Sequence, residues 1–487
     1  MHKILAGLVT VSFAFPVFAK TVTLYHTSDT HGFFYPRSGQ GGAASLAAVL
    51  KSGPKEYLLL DSGDFAEGTL ETQRSKGLKA VRLMNALGYH AATVGNHEFA
   101  YGEDAFSAMV SAAEFPVLAA NLTLSETGEY PSGILPYQIF EVNGAKIAVI
   151  GLANRYPNKT VRAYTLGRQL SALKETLSAV EKQNPSAVVV LAHDSLKDDR
   201  KGSPNYIGDI ARQLGGRVHV VLGGHAHAVF QNEHRGGVLF AESGSNFQNV
   251  SKITVKLDDK TGKFVSARSK LIPLVLKKTG EDEAAKTFAD SLREAEADVV
   301  VGTALSALLK RPSKRKSADS AVDNWVADAM CRYAPADVCI HNTGGGRVGL
   351  PKGEVTRRNL IELYPFDNAV VAAQVNGSFL RKLVRSGLTP WNRLAYSGLT
   401  VSFKKTKSGD VKNLEIWVNG EKLQDDKAYT VVTNSYIGSG RGEGKLFKTL
   451  PQGTVRPAGD KTMRRILEDE FKRGPLAPPK TGRIVQK

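Results

Sequence analysis

Cysteine is nearly absent from this chain: Cys331 and Cys339 are the only two among 487 residues. Two thiols exclude a disulfide-built scaffold and a four-thiolate zinc module. They leave two alternatives, one local disulfide in an oxidising compartment or a pair of small buried thiols. Long hydrophobic runs are missing too. The apolar stretch from Ile4 to Phe18 is interrupted by Ser12 and Pro16. No later stretch reaches the roughly 18 apolar residues of a membrane helix. Glycine is plentiful, at 47 residues, but it has no fixed period, so collagen and low-complexity classes fail. No repeat of solenoid or propeller length occurs. Acidic residues are outnumbered 47 to 64 by basic ones, for a net charge of +17. Such a balance draws anions, small phosphorylated molecules or an anionic envelope among them. Basic and aromatic residues form no recognisable nucleic-acid motif, so no nucleic-acid polymer is expected as partner.

What remains is 42% hydrophobic and 23% charged residues, enough for two or three domains with cores of their own. The start of the chain has the pattern of an export signal. A basic Met1-His2-Lys3 precedes the apolar run, which closes on Val17-Phe18-Ala19. Residues 1–19 are therefore expected to be a signal peptide. The mature chain would begin at Lys20 and be periplasmic or secreted. No cysteine follows the cleavage point to carry a lipid.

Apolar strand-like runs then alternate with helical patterns, which predicts an α/β layered domain over residues 20–275. The strands are Val22 to Tyr25, Tyr57 to Leu60, Ala145 to Ile150, Ala187 to Ala192 and Val218 to Leu222. Residues 276–298 are expected to be a linker, with a charged helix from Glu281 to Asp298. A smaller α+β domain is expected over 299–487, opening with a helix to Tyr333.

Five strand ends carry the same cargo. They read Ser28-Asp29-Thr30-His31, Asp61-Ser62-Gly63-Asp64, Gly95-Asn96-His97-Glu98, Leu191-Ala192-His193-Asp194 and Gly223-Gly224-His225-Ala226-His227. Each is an apolar strand delivering Asp, Asn or His into a turn. Five of the 11 histidines lie in these turns. Rigid supports with oxygen and imidazole donors are what a metal site requires. Asp29, His31, Asp64, Asn96, His193, His225 and His227 make seven donors, enough for two ions that share one carboxylate. Two ions about 3.5–4 Å apart clamp the oxygens of an in-line displacement and activate a water between them, which is phosphoester hydrolysis chemistry. Zn²⁺, Mn²⁺, Co²⁺ and Fe²⁺ all accept such a mixed set.

This series resembles the calcineurin-like metallophosphoesterases. The whole mature chain resembles the bacterial 5′-nucleotidase / 2′,3′-cyclic phosphodiesterase family. The resemblance implies a four-layer β-sandwich flanked by helices, then a linker helix and a substrate-binding domain. It implies one ion on Asp29, His31, Asp64 and His227, and another on Asp64, Asn96, His193 and His225. His97 takes the place of the family's catalytic histidine. In the second domain, Asn342-Thr343-Gly344-Gly345-Gly346-Arg347 resembles the family's glycine-rich element, and Tyr364-Pro365-Phe366-Asp367-Asn368 follows it. Asn342, Gly345 and Arg347 are thereby candidate substrate residues, with Lys316, Tyr436 and Arg441. A small anionic phosphoester and a monomeric enzyme are implied.

Three features depart from the pattern. Ala100 stands where the family has an Asp that orients the catalytic histidine, and Glu103 and Asp104 are the candidate replacements. Ser435 and Arg441 stand where a base-stacking Phe and a ribose-binding Asp are expected. The second stacking Phe falls near Trp391, Arg393 and Tyr396. These departures leave two alternatives open: a sulfur-oxidation-type thiohydrolase on the same frame, or a catalytically weak periplasmic anion-binding protein.

Overall fold

The computed structural model describes residues 20–37, 39–157, 161–196, 207–310, 319–366, 368–388, 394–406 and 408–487. The signal-peptide segment, Lys316, Trp391 and Arg393 lie outside the described residues. The chain divides into two compact units. One holds residues to Glu67 and Glu71–Leu292, the other Gly68–Leu70 and Arg293–Lys487.

The first unit is built on two sheets. A seven-stranded sheet runs Phe264–Pro273, Asn249–Leu257, Lys20–Thr27, Leu58–Asp61, Ala91–Thr93, Val117–Leu118 and Ile134–Leu135. A six-stranded sheet runs Val229–Arg235, Val238–Ser243, Val220–Leu222, Ala187–Ala192, Ala145–Leu152 and Tyr137–Val142. Strand alternation decides what covers each face. Leu24, Leu58 and Leu60 of the first sheet share a buried cluster with Ile147, Val189 and Leu222 of the second, so the sheets pack face to face. Their neighbours Tyr25 and Leu59 point the other way, onto Leu46, Val81 and Phe106 of flanking helices. Val188 and Val190 likewise meet Leu173, Leu177 and Ile210. The result is four layers, helix, sheet, sheet, helix. Both faces of each central strand are buried, which is why these strands read as unbroken apolar runs.

The stretch 281–298 is not one helix. It forms a helix over Glu283–Ser291 and a 3₁₀ turn over Ala295–Asp298. The break is set by packing, not by Gly or Pro. Leu292 is buried in the first unit's core, and its carbonyl accepts from Lys79 Nζ at 2.8 Å. Ala289 joins the same core, so this helix packs on the first unit.

The second unit is α+β. Its five-stranded sheet runs Leu394–Ser397, Val338–Asn342, Ala428–Asn434, Ala369–Asn376 and Arg456–Thr462. Ile340 packs with Leu380 and Leu383 of the helix Gly377–Gly387. Cys339, on the other face, packs with Val326 and Met330 of the helix Ala321–Tyr333. Cys331 and Cys339 are joined, with Cα atoms 5.6 Å apart, so the bonded alternative is the one realised. Reduction with a thiol is expected to cost this unit about 2–4 kcal/mol. Calorimetry with and without reductant should show its melting midpoint fall by roughly 5–15 °C.

Candidate active site

All the candidate ligands sit at the carboxyl ends of strands. Asp29 and His31 follow Lys20–Thr27, Asp64 follows Leu58–Asp61, and Asn96 and His97 follow Ala91–Thr93. These strands are parallel neighbours, with Thr27 level with Asp61 and Asp61 with Ala92. From the facing sheet, His193 follows Ala187–Ala192, and His225 and His227 follow Val220–Leu222. These strands are parallel too, with Leu191 level with Leu222. Because the sheets face each other, both sets of turns converge.

The turns are tight enough to force unusual backbone. Asp29, His31, Asp64, His225 and His227 all have left-handed φ, at 52°, 51°, 60°, 73° and 52°. Each such residue carries roughly 1–3 kcal/mol of strain, tolerated where surrounding structure over-determines it. Asp29 N donates to Gly63 O at 2.9 Å and His31 N to Asp64 O at 3.0 Å, so the turns hold one another. Glycines supply clearance. A Cβ on Gly95 would lie 2.2 Å from Asp64 Oδ1, and one on Gly224 would lie 2.1 Å from Ser28 Oγ.

The donors gather in overlapping groups. Asp29, His31 and His227 form one, Asp64, His193 and His225 a second, and His31, Asp64 and His97 a third. In each, the ligand atoms lie within 4.8 Å of one another. Asn96 joins the second group, its Oδ1 lying 2.9 Å from His225 Nδ1. Asp29 is tied across the sheets, since His225 N donates to both its carboxylate oxygens at 3.0 Å.

This set fits divalent metal ions. His193 Nδ1 donates to Ser62 O at 2.6 Å and His31 Nδ1 to Glu67 O at 2.7 Å, which turns each Nε2 toward the cluster, that of His31 lying 3.0 Å from His227 Nε2. His193 Nε2 is buried without a hydrogen-bond partner, 3.0 Å from Asp64 Oδ2. Two buried carboxylates, Asp29 and Asp64, share the pocket and differ in how well their charge is offset. Burial pushes Asp29 up to about 7, against the pull of His193. Burial would raise Asp64 as well, but His193 and His97 hold it well below the usual carboxylate range. His193 itself is pulled up to about 10, Asp64 outweighing the lowering that burial causes.

His97 finds its carboxylate in a residue the sequence did not single out. Its Nδ1 lies 2.6 Å from Glu67 Oε2. Glu103 and Asp104 do not serve. Glu103 Oε1 accepts from the backbone N–H groups of Arg162 and Ala163, and Asp104 is exposed. Both lie in the first turn of the helix Glu103–Ala112.

Glu98 is a second residue whose role appears only in the fold. Its buried carboxylate accepts from the N–H groups of Asp64, Phe65, Ala66 and Gly95, at 2.9, 2.8, 3.1 and 2.6 Å. It thus pins the Asp64 turn to the Asn96 turn. Glu98→Ala strands four buried donors, each costing about 1–3 kcal/mol if left unmade. Allowing for water entry, a stability loss on the order of 3–5 kcal/mol is expected. A denaturant titration of the variant checks it.

The second unit arranges its candidates at two strand ends. Val338–Asn342 and Ala428–Asn434 are parallel neighbours, with Ile340 level with Thr433. Asn434 Nδ2 donates to Asn342 Oδ1 at 2.8 Å, tying the glycine-rich turn to the turn bearing Tyr436 and Arg441. The glycines are needed for space. A Cβ on Gly346 would lie 2.9 Å from Asp323 Oδ1, and one on Gly345 would lie 3.1 Å from His341 Cε1. Beneath them Lys310 Nζ bonds Asp323 Oδ1 at 2.7 Å and the Thr343 carbonyl. Arg347 is anchored by its N–H to Leu363 O at 2.7 Å, with its guanidinium 6.0 Å from the Phe366 ring centre. Tyr436 is 37% exposed and lies against Gly442, while Tyr396 is fully buried in the core and presents no stacking face.

Residues 22–229 match the calcineurin-like phosphoesterase family model, and residues 300–450 match that of the 5′-nucleotidase C-terminal domain. Among curated relatives, a trifunctional nucleotide phosphoesterase protein of Bacillus subtilis is 26% identical over 89% of this chain. The chain spans about a third (33%) of that protein's length. The 5′-nucleotidase of Vibrio vulnificus is 25% identical over 86% of this chain and 85% of its own. Among solved structures, the 5′-nucleotidase precursor of Thermus thermophilus superposes with a TM-score of 0.83 at 25% identity, over 96% of this chain and 99% of that one. The sulfate thiohydrolase SoxB of Thermus thermophilus shares the fold, with a TM-score of 0.77 over 97% and 98% of the two chains, at 16% identity. With a phosphoesterase domain bearing a metal-ready cluster, followed in sequence by a 5′-nucleotidase C-terminal domain, the chain belongs to the metal-dependent phosphoesterases of the 5′-nucleotidase family.

Proposed function

We propose that this chain is an exported dinuclear-metal phosphoesterase that hydrolyses small phosphate esters, nucleotides among them. One observation carries the proposal: the Asp29–His31–His227 and Asp64–His193–His225 groups meet at the carboxyl ends of two facing sheets. Asp29, His31, Asp64 and His227 would hold one ion, and Asp64, Asn96, His193 and His225 would hold the other. When bound, the two ions supply Lewis acidity and a hydrolytic water at neutral pH.

The chain's own residues do the rest. His97 Nε2 lies 3.7 Å from Asp64 Oδ2. From there it offers a proton to the leaving oxygen, or steadies charge on the phosphoryl group. Asn342, Gly345, Arg347, Tyr436 and Arg441 are the second unit's candidate substrate residues. Arg441 in place of an acidic residue favours a ligand with more negative charge than a nucleoside monophosphate, since a guanidinium donates and cannot accept from a sugar hydroxyl. The Cys331–Cys339 disulfide supports residence in an oxidising, extracytoplasmic compartment. We take the protein to act as a monomer. The likeness to the thiohydrolase is one of fold.

The test is hydrolysis by metal-stripped protein reloaded with Mn²⁺ or Zn²⁺. The panel holds AMP, ATP, 2′,3′-cyclic AMP, a UDP-sugar, a sugar phosphate and bis-p-nitrophenyl phosphate. Metal-dependent turnover of any nucleotide supports the proposal. Turnover of the generic ester alone confines it to non-nucleotide anions. No turnover with metal bound would sink it and favour an anion-binding protein.

A further inference from the structure

We propose that Glu67 is the positioning residue for His97, fixing its tautomer and orientation for the phosphoester chemistry. The inference rests on the reading of His97 as the catalytic imidazole. Glu67 Oε2 lies 2.6 Å from His97 Nδ1, and both side chains are largely buried, at 14% and 8% exposure. A contact this short between a carboxylate and an imidazole is a charge-assisted hydrogen bond. It places the proton on Nδ1 and leaves Nε2 aimed at Asp64 Oδ2. Ala100, the next residue after the His97–Phe99 turn, has no acceptor in its side chain.

Glu67 is well placed to be stiff. Its backbone carbonyl accepts from His31 Nδ1 at 2.7 Å. The same residue therefore orients two imidazoles, one through its main chain and one through its side chain. His31 and His97 also stand edge to face, with ring centres 4.8 Å apart. Replacing the Glu67 side chain removes its His97 contact and leaves its backbone contact to His31 in place. Residues that orient a functional imidazole in this way are typically worth about 10–100-fold.

The test compares wild type with Glu67→Gln and Glu67→Ala. The first readout is the ¹⁵N-correlated spectrum of histidine-labelled, metal-free protein, which reports each imidazole's tautomer without any turnover. In wild type, His97 should be protonated at Nδ1. In Glu67→Ala it should become a mixture of tautomers, while His193 keeps its Nδ1 proton. The second readout is kinetics after metal reloading. We expect kcat to fall about 10–100-fold, with KM and metal content near wild type and Glu67→Gln falling between. An unchanged His97 tautomer in Glu67→Ala would overturn the inference. So would unchanged kcat beside a shifted tautomer. If wild type itself turns nothing over, the spectrum still decides whether Glu67 sets the His97 tautomer, and the functional reading fails separately.

Discussion

Asp64→Ala is expected to reduce phosphoester hydrolysis to the level of the metal-stripped protein. Asp64 belongs to two of the three donor groups and touches the rest of the site through both oxygens. Oδ1 accepts from His97 N at 2.8 Å, and Oδ2 lies 3.0 Å from His193 Nε2. Removing it takes away the one carboxylate common to both proposed ion sites and leaves the buried imidazoles without their main counter-charge. Each ion contributes several kcal/mol of charge stabilisation, so loss of both lowers the rate by roughly 10⁴-fold or more. Initial rates on bis-p-nitrophenyl phosphate measure this, with far-ultraviolet circular dichroism to confirm the fold. A variant within tenfold of wild type would mean that Asp64 bridges nothing.

His97→Ala should cost about 10²–10⁴-fold in kcat, the usual worth of a positioned general acid or base. The metal content should stay at its wild-type value. That second condition matters because His97 shares a group with His31 and Asp64. Its Nε2, however, is 3.7 Å from Asp64 Oδ2 against 3.0 Å for His193. A ligand and a proton donor are therefore separable by one experiment. Metal analysis of the purified variant that shows one ion lost would make His97 a ligand. Full metal with a slow enzyme supports the catalytic assignment.

The strand-end motifs were legible in the sequence because the strands are buried on both faces. An apolar run that stops abruptly at Asp or His is a strong local signal, and Ala187–Ala192 before His193 has the same bounds in sequence and structure. Glycine spacing was also informative, since Gly63, Gly95 and Gly224 all prove to be places where a Cβ would strike the site. The left-handed backbone of His31 and His227 was not legible, because nothing in a side chain's identity demands it there. Glu67 was hidden for a different reason. It lies three residues past Asp64 in a turn, 30 positions from the imidazole it binds, and only the convergence of two strand ends brings them together. The only clue was indirect, the alanine at position 100, which called for a carboxylate from elsewhere. The break after Ser291 was equally hidden, since a buried Leu292 and a lysine from another helix impose it.

The most direct measurement is metal stoichiometry by mass spectrometry on wild type and Asp64→Ala, paired with hydrolysis rates on the same samples. The account predicts two divalent ions per wild-type chain, turnover that disappears on chelation and returns on reloading, and loss of both ions and rate in the variant. Two ions bound without turnover of any phosphoester, or turnover that survives Asp64→Ala, would contradict it.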